Sequence, residues 1–111
     1  MPTKLPLDTN DNPIPAMRLK HGGAHTIASS VASARNTTAF SPQTNIISLY
    51  ATQNIFVKFG DSAVSAATTD HFFPAGTYYD ISIGDESTGH YTHVAVLRES
   101  ADGTVYISEK E

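Results

Sequence analysis

Hydrophobic and polar residues alternate in several short stretches of the chain, and turn residues separate these stretches. In residues 54–59, Ile55, Val57 and Phe59 fall on one face of an extended strand, because neighbouring side chains of a strand point to opposite sides. Residues 77–84, 91–97 and 104–108 also alternate, and residues 45–51 are rich in β-forming residues. The pattern predicts an all-β protein with a single β-sandwich domain, jelly-roll-like, of about seven or eight short antiparallel strands.

The alternation also assigns faces within the later strands. The residues expected to share a face are Tyr79 with Ile81 and Ile83, Val94 with Val96, and Val105 with Ile107. The Asp102-Gly103 pair is a strong turn signal, so residues 91–97 and 104–108 are predicted to form a hairpin.

Two stretches give weaker signals. In residues 24–34, the spacing of Ile27 and Val31 fits either a helix or a strand, and the Ser content together with the lack of long helix-forming residues favours a strand. Residues 62–67 are a weaker strand candidate whose small side chains suit a sheet edge or a crowded face.

The N-terminal stretch is rich in proline, with Pro2, Pro6, Pro13 and Pro15. Each proline removes an amide donor and biases the preceding residue toward extended geometry. We therefore predict an extended arm over residues 1–21, ending near Gly22-Gly23, and a β-sandwich domain over residues 22–111.

Four aromatic residues crowd one bend, HFFPAGTYYD, at residues 71–80. Pro74 and Gly76 suit the second and fourth positions of a type I turn. On the flanking strands one Phe and one Tyr would point inward, which predicts a corner of the core. A subunit contact and a stacking platform for sugars or bases remain alternatives.

Charge and composition narrow the function classes. The net charge is −4, and none of the seven Lys and Arg residues is adjacent to another, so nucleic-acid binding is not expected. The chain has no Cys and therefore no disulfide or thiolate site. No apolar run is long enough for a signal peptide or a membrane span, so we expect synthesis in the cytoplasm and no membrane partner.

Catalytic and metal chemistry are not favoured. A zinc site needs three or four convergent ligands, and the two close histidine pairs have spacings that do not supply them. The five histidines are His21, His25, His71, His90 and His93. The carboxylates that could in principle serve glycoside chemistry are Asp61, Asp70, Asp80, Asp85 and Glu86. They fall mostly at predicted turns, where Asp is common for backbone reasons, and residues 108–111 read as a solvated tail. We expect no enzyme activity, no metal and no cofactor.

The order of features resembles small virion structural proteins of tailed bacteriophages and prophages, from about Leu7 to Glu109. The segments that carry the resemblance are the arm LDTNDNPIPAMRL, a strand near TTAF, the strand pair SLYATQNIFVKFG, the FFPAG turn and the ending GTVYISEKE. The resemblance implies a β-sandwich in the virion that completes a capsid, neck or tail through contacts with other virion proteins. It also implies a homo-oligomer, with a trimer favoured, and it transfers no catalytic or cofactor residue.

Two groups of residues are predicted to form the interface, one in the arm and one at the bend. They are Leu5, Leu7, Ile14 and Met17, and Phe72, Phe73, Tyr78 and Tyr79. The alternative function is a small carbohydrate- or ligand-binding β-module. A third alternative, a metal-dependent enzyme, would require at least three histidines to converge.

Overall fold

A computed structural model describes residues 18–85 and 87–111 of the chain. The predicted arm contacts Leu5, Leu7, Ile14 and Met17 lie outside these described residues. The described residues contain no helix that is long and apolar enough to cross a membrane. Their regular elements are strands β1 (Leu19–Ser29), β2 (Ala34–Arg35), β3 (Ile46–Ala51), β4 (Ile55–Gly60), β5 (His71–Phe73), β6 (Tyr78–Ser82), β7 (His93–Arg98) and β8 (Gly103–Lys110).

The strands form two four-stranded sheets with the orders β1-β8-β3-β6 and β2-β7-β4-β5. All neighbouring strands are antiparallel. The pairings are nested: β1 lies beside β8, β2 beside β7, β3 beside β6 and β4 beside β5. A long antiparallel ribbon rolled up in this way is a jelly roll. The predicted all-β sandwich is confirmed.

The core lies between the two sheets, and the predicted alternation explains which residues fill it. Ile55 and Val57 of β4 are fully buried, and Phe59 packs against the same cluster. Ile83, which directly follows β6, is fully buried, and Tyr79 and Ile81 of β6 pack against the core. The buried core residues are Ile27, Phe40, Ile47, Leu49, Ala51, Ile55, Val57, Ile83, Val94, Val96, Val105 and Ile107.

Strand β1 confirms that residues 24–29 are extended rather than helical. It begins at Leu19, so it includes the last three residues of the stretch predicted as arm. The register of β1 against β8 shifts between Leu19 and Ala24, and Gly22 within this bulge has a φ of +74°, which glycine adopts without strain. Val31 lies beyond the strand and is exposed.

Two strand predictions were wrong. β7 and β8 do not form a hairpin, because β7 pairs with β2 and β4 while β8 pairs with β1 and β3. The Asp102-Gly103 turn therefore carries the chain from one sheet to the other. Residues 62–67 form a loop, in which Val64 and Ala66 cover Ala95 of β7. The strand expected near TTAF is β2, which contains only Ala34–Arg35 and ends just before this stretch.

Candidate interaction surfaces

The aromatic bend at residues 71–80 is a corner where the chain crosses between the sheets. β5 pairs with β4 in one sheet, and β6 pairs with β3 in the other. Phe73 and Tyr79 point inward, with ring centroids 4.7 Å apart in an edge-to-face arrangement. Phe72 and Tyr78 are 47% and 56% exposed. The predicted division into one inward and one outward residue of each type is confirmed.

The bend does not form a single contact surface. Because β5 and β6 belong to opposite sheets, Phe72 lies on the outer face of one sheet and Tyr78 on the outer face of the other. The backbone makes this crossing with Gly76 at a φ of +77°, and the Gly76 amide donates to the Ala51 carbonyl at 2.9 Å. The two residues therefore belong to two separate surfaces.

The first surface is a row of tyrosines across β8, β3 and β6. Tyr50 is directly opposite Tyr106 on one side and Tyr78 on the other, and Thr26 of β1 continues the row. All three tyrosines point away from the core and are between 38% and 56% exposed. We call Tyr50, Tyr78 and Tyr106 the tyrosine row. Residues directly opposite one another on adjacent strands have Cβ atoms about 4.5–5.5 Å apart, so the three tyrosines lie side by side across the sheet face.

A charged pair borders the tyrosine row at its β6 end. The Lys110 ammonium donates to the Asp80 carboxylate at 2.7 Å and lies 5.1 Å from the centroid of the Tyr78 ring. A cation over a tyrosine face is attracted by the ring quadrupole. Hydrogen bonds with Lys110 and then with Ser48 lower the pKa of Tyr78, and the bond to Asp80 raises the pKa of Lys110. The surface thus combines aromatic faces with polar groups.

The second surface is an apolar row on the outer face of the other sheet. Phe56 of β4 is directly opposite Phe72 of β5 and Leu97 of β7. The rings of Phe56 and Phe72 have centroids 5.7 Å apart. We call Leu97, Phe56 and Phe72 the phenylalanine row. Part of this sheet is covered by the loop at residues 62–67, so this surface is less open than the tyrosine row.

A buried polar network surrounds Glu109, a residue predicted to lie in a solvated tail. That prediction was wrong, because Glu109 is 4% exposed on the inner side of β8. Its carboxylate is 2.8 Å from Nε2 of His25 and accepts bonds from the Ser41 amide and the Thr44 hydroxyl, each at 2.7 Å. A Cβ on Gly23 would come within 2.9 Å of the Glu109 Cβ, so this glycine leaves the space that the carboxylate side chain needs.

The Glu109 network makes stability depend on acid pH. Burial by itself raises the pKa of Glu109, but the hydrogen bonds from His25, Ser41 and Thr44 outweigh burial and hold the pKa below its ordinary value of 4.5. A carboxyl with a lowered folded-state pKa contributes stability that is complete above the unfolded-state value and is lost as the pH falls through the folded-state value. We therefore expect the Glu109→Gln variant to show a shallower loss of stability than the wild type below about pH 4.5.

Urea unfolding of both proteins between about pH 3 and pH 7 measures this difference. Asp85, whose pKa is lowered to about 2, chiefly by a hydrogen bond from the Thr88 amide, contributes to both profiles and cancels in the comparison. If the free energies of unfolding of the two proteins fall in parallel between about pH 7 and pH 3, the titration of Glu109 does not affect stability.

Hydrogen bonds account for three of the five histidines. His25 binds Glu109, Nε2 of His90 is 2.6 Å from the Thr44 carbonyl oxygen, and Nδ1 of His93 is 2.8 Å from the Thr92 hydroxyl. His21 and His71 are exposed. Among the described residues, no group of three or more His, Cys, Asp or Glu side chains is placed to hold a metal ion.

The carboxylates considered for acid–base chemistry have local structural partners. Asp61, Asp70 and Asp85 each accept backbone amide hydrogens within their own turns, as the turn interpretation predicted. Asp80 instead lies on β6 and binds Lys110. The structure does not bring these four residues to one site, and the fifth candidate, Glu86, lies outside the described residues.

No protein-family model, curated protein or solved structure matches this chain. The two aromatic rows are therefore the features on which a functional proposal rests.

Proposed function

We propose that this chain is a non-enzymatic bacteriophage virion structural protein that self-associates and docks on a capsid, neck or tail assembly. The observation that carries the proposal is an exposed tyrosine row on one broad face of the sandwich and a partly exposed apolar row on the other. The tyrosine row lies on one face and the phenylalanine row on the other.

Contiguous exposed apolar surface favours an interaction role. Single exposed hydrophobic residues are common on soluble proteins, whereas several aligned on one face mark contact sites. Tyrosine and phenylalanine are enriched in protein–protein interfaces because they bury a large area with few rotatable bonds. A protein with such a row on both faces can contact a copy of itself on one side and another virion protein on the other.

The fold and the sequence are compatible with this role. Jelly rolls form viral capsid domains, but they also form lectin and cupin domains, so the fold alone does not select the function. The order of motifs from Leu7 to Glu109 resembles phage virion proteins and favours the structural role among these. The proline-rich stretch before Arg18 is typical of an arm that links subunits.

The first test is the mass in solution of the full chain and of a chain that begins at Arg18. We expect the full chain to form a trimer or a larger ring at micromolar concentration and the shortened chain to be mostly monomeric, because the arm would supply the linking contacts. Light scattering behind a sizing column measures both. The cut is placed at Arg18 because its amide and carbonyl pair with Glu111, so β1 remains complete.

A full chain with residues 2–17 in scrambled order is the matched control, since it keeps length and composition. A full chain that stays monomeric at about 100 µM would contradict self-association. Virion membership is tested separately, by measuring whether particles purified on a density gradient contain the protein at a fixed copy number.

The tyrosine row also supports a second candidate, a carbohydrate-binding module. Aromatic faces beside polar groups such as Asp80 and Lys110 suit a sugar, whose apolar face packs on rings while its hydroxyls form hydrogen bonds. A monomer that binds an oligosaccharide, and loses it when Tyr50 is replaced by Thr, would favour this candidate over the structural one.

A further inference from the structure

We propose that the tyrosine row seats the proline-rich N-terminal segment, residues 2–17, of a neighbouring copy of the chain. This inference rests on the self-association proposed above and deepens it by naming the two surfaces that meet. One surface is Tyr50, Tyr78 and Tyr106, and the other is a segment of the same sequence.

The chemistry of the two surfaces is complementary. Each proline of the segment presents an apolar ring, lacks an amide donor and restricts the backbone, so the segment loses less entropy when it is bound. Such segments dock on surfaces lined by aromatic residues. Tyrosine supplies both an aromatic face and a hydroxyl that donates to a carbonyl. Residues 2–17 contain four prolines, and Pro13 and Pro15 flank Ile14.

The tyrosine row suits this segment better than the phenylalanine row does. Phenylalanine and leucine side chains offer no donor for the carbonyl oxygens of the segment. The loop at residues 62–67 also covers part of the sheet that carries the phenylalanine row. The tyrosine row lies on the same sheet as β1, the strand that directly follows the segment.

The direction of β1 favours a neighbouring copy over the segment's own chain. Leu19 is paired with Lys110, whereas Thr26, which lies beside the tyrosine row, is paired with Tyr106. The chain traced backward from Thr26 to Leu19 therefore moves away from its own tyrosine row. To reach the tyrosine row of its own chain, the segment would have to reverse direction near residue 17. The residues that precede Pro13 and Pro15 are biased toward extended backbone, which favours a segment that continues away from its own chain.

The segment is long enough to reach an adjacent subunit. A stretch of 16 residues spans at most about 55 Å when extended, and a strip of three adjacent strands is only about 10 Å wide. Residues near Ile14 can therefore lie on a neighbouring row while the earlier residues contact further surface. Each copy would then give its segment to the next copy and receive one from the previous copy, and such head-to-tail contacts can close into a ring.

Photochemical cross-linking of the full chain tests the proposal. A benzoylphenylalanine replaces Ile14, and chains labelled with nitrogen-15 are mixed with unlabelled chains before assembly and irradiation. Mass spectrometry of the digested product then identifies each cross-linked pair and whether its two halves come from different chains. We expect mixed pairs that join the segment to peptides containing Tyr50, Tyr78 or Tyr106.

The combined variant Tyr50→Thr, Tyr78→Thr and Tyr106→Thr should lower the yield of these mixed pairs at least tenfold. Tyr91→Thr is the matched control, because it removes a comparably exposed tyrosine ring that belongs to neither row, and it should leave the yield unchanged. If the combined variant does not fold, a free peptide of residues 2–17 added to the wild-type full chain replaces it. The peptide should suppress the mixed pairs, and a version with all four prolines changed to alanine should suppress them much less.

The outcomes separate this inference from the proposed function. A stable oligomer whose cross-links fall outside the tyrosine row would overturn the inference and leave self-association intact. Cross-links confined to single chains would overturn the exchange between copies. A monomeric full chain would overturn both proposals. The last outcome is an oligosaccharide that binds the tyrosine row while the oligomer stays intact and the peptide of residues 2–17 does not displace it. That result would assign the row to a glycan and overturn the inference.

Discussion

Replacement of Glu109 by alanine is expected to lower the free energy of unfolding by about 3–5 kcal/mol, because it removes the shared acceptor of three groups and each buried unsatisfied group costs about 1–3 kcal/mol. The carboxylate is 4% exposed and has bonds with His25, the Ser41 amide and the Thr44 hydroxyl. Alanine would leave these buried groups without their acceptor, and each unsatisfied group costs more than the net value of the lost bond. The loop between β2 and β3 would also lose two of its attachments to β8.

Urea unfolding of the full chain at neutral pH measures this effect. Glu109→Gln keeps the shape and one carbonyl acceptor, so we expect it to cost clearly less than alanine. Glu99→Ala is the surface control, because Glu99 is exposed, and it should change the free energy of unfolding by no more than about 0.5 kcal/mol. A cost for Glu109→Ala no larger than that of Glu99→Ala would show that the network does not stabilise the fold.

The local pattern of the sequence predicted which side chains face the core. In β4 and β8 the alternation assigned Ile55, Val57, Val105 and Ile107 to the buried face, and all four are fully or almost fully buried there. This works because the two-residue period of a strand is a property of the backbone and needs no knowledge of its partners. The same period predicted that neighbouring aromatics at the bend would point to opposite sides.

The pairing of strands could not be read from the same pattern. Asp102-Gly103 signals a change of direction, but it does not say whether the next strand returns to the same sheet or crosses to the other. In a jelly roll the partner of β8 is β1, which lies far away in sequence, so the signal that sets the pairing is not local. The tyrosine row was missed for this reason, since Tyr50, Tyr78 and Tyr106 meet only once three strands are in register.

Glu109 shows a second limit of local reasoning. Glu109 lies in SEKE, a charged stretch whose composition is typical of a solvated tail. The one local sign of burial is that Glu109 continues the alternation of Val105 and Ile107. The donors that make its burial tolerable come from Ser41 and Thr44, and the space comes from Gly23. A buried carboxylate depends on such partners, and residues 108–111 alone do not indicate which distant residues supply them.

Replacement of Phe40 by alanine is expected to lower the free energy of unfolding by about 3–5 kcal/mol, the usual cost of truncating a buried phenylalanine. Phe40 is 2% exposed although it lies in the loop between β2 and β3 rather than in a strand. Its ring packs edge-on against the His25 ring at 5.1 Å, and its amide donates to the Thr92 carbonyl at 2.9 Å. The loop is thus fixed by a core side chain on one side and by Glu109 on the other. Urea unfolding measures the cost, and Phe72→Ala, at an exposed ring, should cost about 1 kcal/mol, mainly from the lost pairing with Phe56.

The combined variant Phe40→Ala and Glu109→Ala then tests whether His25 couples the two residues. Both single changes remove a contact that holds the His25 ring, so the second change should cost less once the first has been made. We expect the combined loss to fall short of the sum of the single losses by about 1 kcal/mol, within the range for residues that share a partner. Strictly additive losses would mean that the packing of Phe40 and the bonds of Glu109 fix the loop independently.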